Sequence, residues 1–276
     1  LFAKGVPGNL KMMEGLLYLQ PENKRLLAGL TKGYAGYAFA IYDTLALEEE
    51  LQGIDDGPMK KAALLNYSKA VEYGIRFFEV SGISYEQLQA AVNKDGSVGT
   101  LLDKEFSDDM LDLEGAFFTA QSLGGLIVHQ RDDMLLVAQL PIVKGLFDWV
   151  CAKKPDINFG ACDIFYGAYE AGRPRALGGN PDKGKEFFLK AIEKNPHNWL
   201  VRTNYMRFYL IPMGEEDGFK ENLKILAEAE EKFSEQFKWR PVKNSGPEFS
   251  EKKLALYQAI ALKQYEILKK YKNKIF

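Results

Sequence analysis

Apolar residues recur along this chain at three- and four-residue spacing, and no alternating β pattern competes, so the pattern predicts helices throughout. Residues 7–20 place Leu10, Met13, Leu16 and Leu17 on one helical face and stop at Pro21. Asn23 then caps a long helix reaching about Glu50. Residues 52–57 read as a loop, and Pro58 suits the first position of the next helix. Ser84 and Gln87 have capping-box spacing, and residues 93–99 read as loop. Ser107 opens a helix through Val128, with Asp108 and Asp109 in its first turn. A helix over 134–152 follows, bent or restarted at Pro141. Further helices are expected over 156–171, 182–195, 198–210, 218–237 and 250–271, with a Pro- and Gly-containing loop over 239–249.

The most informative stretch runs over 166–196. Gly184, Phe188 and Ala191 are spaced four and then three residues apart, and Pro196 ends the helix, as in the second helix of a tetratricopeptide (TPR) unit. Small residues at 184 and 191 admit a neighbouring helix, and the ring at 188 fills the gap between them. Ala63, Tyr67 and Ala70 repeat the spacing, while Val143, Phe147, Val150 and Pro155 form a weaker instance. Pro21 and Tyr34 are separated as Pro196 and Tyr209 are. The expected fold is all-α: a helical-hairpin scaffold in a single domain over 1–276, with cryptic TPR-like repeats at about 8–80, 107–171, 156–211 and 198–271 that stack as one body. Ordinary hairpin packing produces the same spacing, and that reading stays open. The insert Gly178-Gly179-Asn180-Pro181, foreign to a tight TPR hairpin, points to a binding or docking scaffold.

Composition narrows the function. Charged residues are 27% with a formal net charge of −2, and no dense Lys/Arg stripe occurs, which argues against electrostatic nucleic-acid binding. The lysines of 269–274 complement the negative end of a last helix. Aromatics at 13% suggest an aromatic-lined interior. No apolar run is expected to reach the ~18–20 residues of a membrane span; the most apolar stretch, 116–128, is interrupted by Thr119, Gln121, Ser122, Gly124 and Gly125. The chain starts at Leu1, not Met, so removal of a preceding segment with any targeting signal is expected.

Several stretches carry a resemblance: 11–23; 30–38; Asp132-Asp133-Met134; 139–144; Tyr166-Gly167-Ala168-Tyr169; Arg173-Pro174; and Gly178-Gly179-Asn180-Pro181 leading into 187–191. Over nearly its whole length the chain resembles TatT, the T component of TPR-associated tripartite ATP-independent periplasmic (TRAP) transporters. That family usually has Asp where Asn180 stands, and both residues cap helices. After Pro196, over 198–218, the match weakens. The resemblance implies a periplasmic lipoprotein whose lipidated Cys preceded Leu1. Its partner would be the solute-binding P component, and through it the membrane permease. A homo-oligomer and a small hydrophobic or organic-acid ligand are expected, with no cofactor, metal or catalysis.

In TPR folds the first helix of each unit lines the concave face. In register with Pro155 and Pro196, the inward positions are Phe159, Cys162, Tyr166, Tyr169, Thr203 and Arg207. Phe159, Tyr166, Tyr169, Arg173, Thr203 and Arg207 are the candidate ligand-binding residues, because amphipathic Tyr and Arg suit an apolar solute with an acidic group. The bland alternative makes the tyrosines core and Arg207 surface. A competing chemistry is Asp108-Asp109-Met110-Leu111-Asp112, the DDxxD spacing with which isoprenoid synthases hold Mg²⁺; a helix start with acids in its first turn explains it equally. A generic TPR adaptor is a third reading. His129 and His197 lack metal spacing. Cys151 and Cys162 flank a turn; two buried thiols are favoured over a disulfide, because helix axes ~8–10 Å apart exceed the Cα reach of about 7 Å.

Overall fold

A computed structural model describes residues 2–92, 97–236 and 246–276, and no strand occurs among them. They form two compact units, Leu1–Pro155 and Asp156–Phe276.

The first unit opens with α1 (Phe2–Leu19). Leu10 and Leu17 are buried, but Leu16, expected on the same face, is 43% exposed. The correction follows from packing: α1 rests chiefly on one neighbour and buries a narrow stripe. That neighbour is α2 (Lys24–Tyr37), capped by Asn23, whose Oδ1 accepts the Leu26 N–H at 3.1 Å. The expected long helix is present. It continues through a π-helical segment, Ala38–Asp43, that apolar spacing does not reveal, into α3 (Thr44–Gln52). Pro58 begins α4 (Pro58–Glu79), and the buried Glu49 carboxylate accepts the N–H groups of Met59 and Lys60, both at 2.9 Å. The capping box forms at α5 (Tyr85–Ala91), with Ser84 N–H donating to Gln87 Oε1 and Gln87 N–H to Ser84 Oγ. Residues 97–99, expected as loop, belong to α6 (Ser97–Glu105); residues 93–96 lie outside the described residues. Then come α7 (Met110–His129), α8 (Met134–Val137) and α9 (Leu140–Lys153), the last two separated just before Pro141.

Helices α4 and α7 pack antiparallel through rings seated over glycines. A Cβ on Gly125 would stand 2.7 Å from the Tyr67 ring; one on Gly115 would strike Phe77, and one on Gly74 would strike Thr119. Tyr67 and Phe77 are almost fully buried there. Contrary to the sequence expectation, Met134–Lys153 is long and apolar enough for a membrane span by length and composition alone. Its apolar residues in α9 (Ile142, Val143, Leu146 and Phe147) are buried within the unit, so they serve a core.

The second unit begins with a 3₁₀ turn, Ile157–Phe159, followed by α10 (Ala161–Gly172). The expected unbroken helix over 156–171 therefore starts late, because Asn158, Phe159 and Gly160 have φ of 47°, 56° and 100°. A second 3₁₀ turn, Arg175–Leu177, leads to α11 (Pro181–Lys194), capped by Asn180. Gly179 is required because a Cβ would collide with the Arg173 carbonyl. Asn198 caps α12 (Trp199–Tyr205), which passes through a π segment, Met206–Leu210, into α13 (Ile211–Met213). The last helices are α14 (Glu216–Gln236), α15 (Leu254–Lys270) and α16 (Lys272–Ile275). Residues 237–245, including most of the expected late loop, lie outside the described residues. The α15 start moves from 250 to 254 because Ser250 Oγ bonds back to the Pro247 carbonyl and Glu251 accepts the Lys253 N–H.

Phe188 and Ala191 are fully buried, and the α11 face meets α10 near Ala171 as the spacing predicts. A Cβ on Gly184 would lie 2.9 Å from the Gly167 carbonyl oxygen and 3.0 Å from Ala171 Cβ, while one on Gly167 would lie 2.8 Å from the Phe188 ring. The cysteines correct an expectation: neither is a free thiol, and both Cys151 and Cys162 are disulfide-bonded. The expected spacing is that of two regular helices, but the residues before Cys162 are not regular helix: Asn158, Phe159 and Gly160 all have positive φ.

Gly184→Leu pushes against backbone atoms that cannot yield, and is expected to cost about 1–3 kcal/mol. Gly36→Ala, in a helix with nothing within 4 Å of the new Cβ, is expected to gain about 0.5–1 kcal/mol. Chemical denaturation of both variants checks the pair; equal stabilities would refute the packing assignment.

Candidate functional site

The aspartates at 108–112 are committed to structure. Asp109 caps α7, its Oδ1 accepting the Asp112 N–H at 2.9 Å, and this bond chiefly holds its pKa below the ordinary value. Asp112 is buried; one oxygen meets Lys24 Nζ at 2.5 Å and the other accepts from Ser107 N–H and Oγ–H. Ser107 thus donates to the helix start and is not its cap. Lys24 also lies over the rings of Phe77 and Phe106, 5.1 and 4.9 Å from their centroids. Asp108 pairs with Lys153 at 2.7 Å. The three carboxylates therefore serve three different partners, and no group of three His, Cys, Asp or Glu able to hold a metal occurs among the described residues.

Glu14 on α1, within the 11–23 stretch, gathers a set of donors that no sequence pattern marks as a site. Its carboxylate accepts from Lys11 (2.7 Å), Tyr34 OH (2.5 Å), Lys69 (3.1 Å) and Tyr73 OH (3.0 Å). Tyr34 and Tyr73 stack at 5.8 Å, and Lys69 lies over the Tyr34 ring. Burial pushes the Glu14 pKa up, but the four donors outweigh it and hold the group at about 2. Glu215 is similarly placed in the second unit, accepting from Lys185 (2.8 and 2.9 Å) and Tyr209 OH (3.1 Å), with Tyr205 stacked on Tyr209. His129 also has company that its spacing concealed: its Nε2 lies 3.5 Å from Asp43, which accepts from Tyr67 OH at 3.0 Å. Residues 43, 67 and 129 converge through tertiary packing, so no local pattern announces them.

The six candidate ligand residues all lie in the second unit. Arg173 lies 3.8 Å over the Tyr169 ring and donates to the carbonyls of Tyr169, Leu177 and Gly178, tying down the glycine-rich insert. Tyr166 and Tyr169 both contact Phe165, and Tyr166 also meets Phe187. Thr203 is fully buried and donates to Gln264 at 2.6 Å. Arg207, on the π segment, lies over Phe208. Phe159 meets Tyr257 edge-on at 5.9 Å and lines a small cleft with residues 194–198 and Glu251. Tyr166, Tyr169 and Arg173 thus form one neighbourhood, and Phe159 belongs to the lining of the cleft.

Such a molecule is a helical scaffold in which Glu14, Glu49, Asp112 and Glu215 hold segments together. The chain belongs to the TAtT family of TRAP transporter T-components, which it matches over residues 1–237. The match includes 198–218, where the sequence resemblance had weakened. No curated protein matches the chain. The protein is therefore a T-component, an accessory subunit of a TRAP transporter; the synthase reading gains nothing from Asp108, Asp109 and Asp112, which serve three different partners.

Because the folded pKa of Glu14 is depressed from 4.5 to about 2, its contribution to stability is present above about pH 4.5 and lost as pH falls through about 2. Urea unfolding of wild type and Glu14→Gln is expected to show a stability gap that narrows from pH 5 toward pH 2. A gap independent of pH would show that the network does not stabilise the ionised form.

Proposed function

We propose that this T-component is a periplasmic, lipid-anchored scaffold of TPR-like hairpins that docks the transporter's solute-binding protein and, through it, serves the membrane permease. The observation that carries the reading is the family match over residues 1–237. Oxidised Cys151 and Cys162 suit a periplasmic location, since disulfides persist in oxidising compartments.

The repeat reading draws support from a correspondence between the units. Pro21 and Pro196 each stand two residues before a capping asparagine, and each following helix passes into a π segment. Tyr34 and Tyr209, equally far from those prolines, each donate to a glutamate that also holds a lysine. The charges come from opposite directions along the chain: Glu14 precedes Tyr34 and Lys69 follows it, whereas Lys185 precedes Tyr209 and Glu215 follows it.

For docking, exposed apolar tips are the contact points: Met134 and Leu135 at the start of α8, 72% and 83% exposed, and Leu177 on the insert, 69% exposed. Self-association would let several partner copies dock around one assembly. If the partner's cleft opens near Tyr166 and Tyr169, an apolar organic acid would pass against the tyrosine faces, with Arg173 over the Tyr169 ring beside it.

Photo-crosslinkers at Leu135, Leu177 and Asp56 are expected to capture the purified solute-binding partner. Absence of crosslinks at all three, with no complex by ultracentrifugation at tens of micromolar (about −6 kcal/mol), would remove the docking reading.

A further inference from the structure

We propose that the cleft between the C-terminal end of α11 and the start of α15 binds a small zwitterion with an apolar side chain, an aliphatic α-amino acid being the simplest member. The cleft has a volume of about 150 Å³. That is below the ~300–1,000 Å³ of pockets for drug-sized ligands and leaves room for one small metabolite.

Its lining is chemically divided. Phe159, Pro196 and Leu254 supply apolar surface, Lys194 and His197 supply nitrogen donors, and Glu251 supplies a carboxylate. Lys194 is loosely held: its Nζ is 4.0 Å from Asp163, whose nearer partner is Lys190 at 2.9 Å. Glu251 is fixed by accepting the Lys253 N–H at 3.0 Å. Asn195 donates its Nδ2 to the Ala191 carbonyl at 3.2 Å, which leaves Oδ1 to accept from a ligand. A carboxylate would go to Lys194 and His197, an ammonium to Glu251 and Asn195 Oδ1, and an aliphatic side chain to the Phe159 ring.

A second observation is independent of the lining. Asn158 and Phe159 are the non-glycine residues with positive φ among the described residues, at 47° and 56°. A phenylalanine in this conformation is strained, and such strain persists only where its surroundings hold it. Here both sides are pinned: Asn198 Nδ2 donates to the Phe159 carbonyl at 2.8 Å, and Tyr257 OH donates to Asn158 Oδ1 at 3.1 Å. Regular helix would continue α10 backwards at no such cost. The strained turn instead places Phe159 in the lining of the cleft, beside Lys194, His197 and Glu251.

The test uses the full chain without any partner, so its failure leaves the docking reading untouched. Alanine, proline and valine are titrated singly while the imidazole signals of the two histidines are followed by NMR. The expected result is a saturable, millimolar shift of His197 with His129 unmoved, strongest for valine or proline. 3-Methylbutanoate and isobutylamine, which each lack one charge of valine, should bind about tenfold more weakly, because each leaves a polar partner unpaired. Glu251→Gln should abolish discrimination against 3-methylbutanoate, and Lys194→Met discrimination against isobutylamine; both residues are exposed, so the fold tolerates them. No His197 shift with any of the three amino acids at about 20 mM, a Kd weaker than about −2 kcal/mol, would overturn the proposal. So would equal affinity for valine and its two analogues, or variants that leave discrimination unchanged.

Discussion

The structure depends on aromatic rings seated over glycines of an antiparallel neighbour. Tyr67 over Gly125 and Phe77 over Gly115 bring α4 and α7 together, and Phe188 over Gly167 does the same for α11 and α10. Each contact replaces a Cβ with a ring, so the helices approach closely while the large side chain is removed from water. The cost is helical glycine, roughly 0.5–1 kcal/mol each relative to alanine; the gain is burial of a ring, about 1.5–3 kcal/mol. Within each unit this contact sets which helix faces are inward, and so which polar groups must find partners inside.

Those partners are found at the edges of the same helices. Glu49 caps α4, Asp112 holds Lys24, Glu14 gathers two lysines and two tyrosines, and Glu215 gathers Lys185 and Tyr209. Carboxylates bonded in this way are occupied by neighbouring groups of the fold, which makes them supports for the scaffold. The exposed apolar tips and the glycine-rich insert, stiffened by Arg173, are what the scaffold presents.

Much of the fold was legible in the sequence because its signals are local. Asn23, Ser84 and Asn180 each cap a helix, and the Gly184–Phe188–Ala191 face is buried against α10. Signals that depend on backbone twist or tertiary approach were not. Neither π segment disturbs the apolar spacing, and although Asn158 and Gly160 favour the left-handed region, the positive φ of Phe159 between them carries no sequence signal. The same limit applies to the candidate site. Tyr169 and Arg173 come together because they are one turn apart, whereas Glu14, Tyr34, Lys69 and Tyr73 assemble from three helices. The competing metal reading of Asp108, Asp109 and Asp112 gives way to the helix-start reading, because spacing does not report that Lys24 and Lys153 claim two of the three carboxylates.

The ring-over-glycine account is tested most directly by a double-mutant cycle on Gly167→Ala and Phe188→Leu, read by urea unfolding. Each single change should destabilise, the first by crowding the ring and the second by removing it. Together they should cost less than their sum by at least about 0.5 kcal/mol, because the smaller side chain makes room for the new Cβ. Strict additivity would contradict the account, since it would mean that the ring and the glycine do not share one contact.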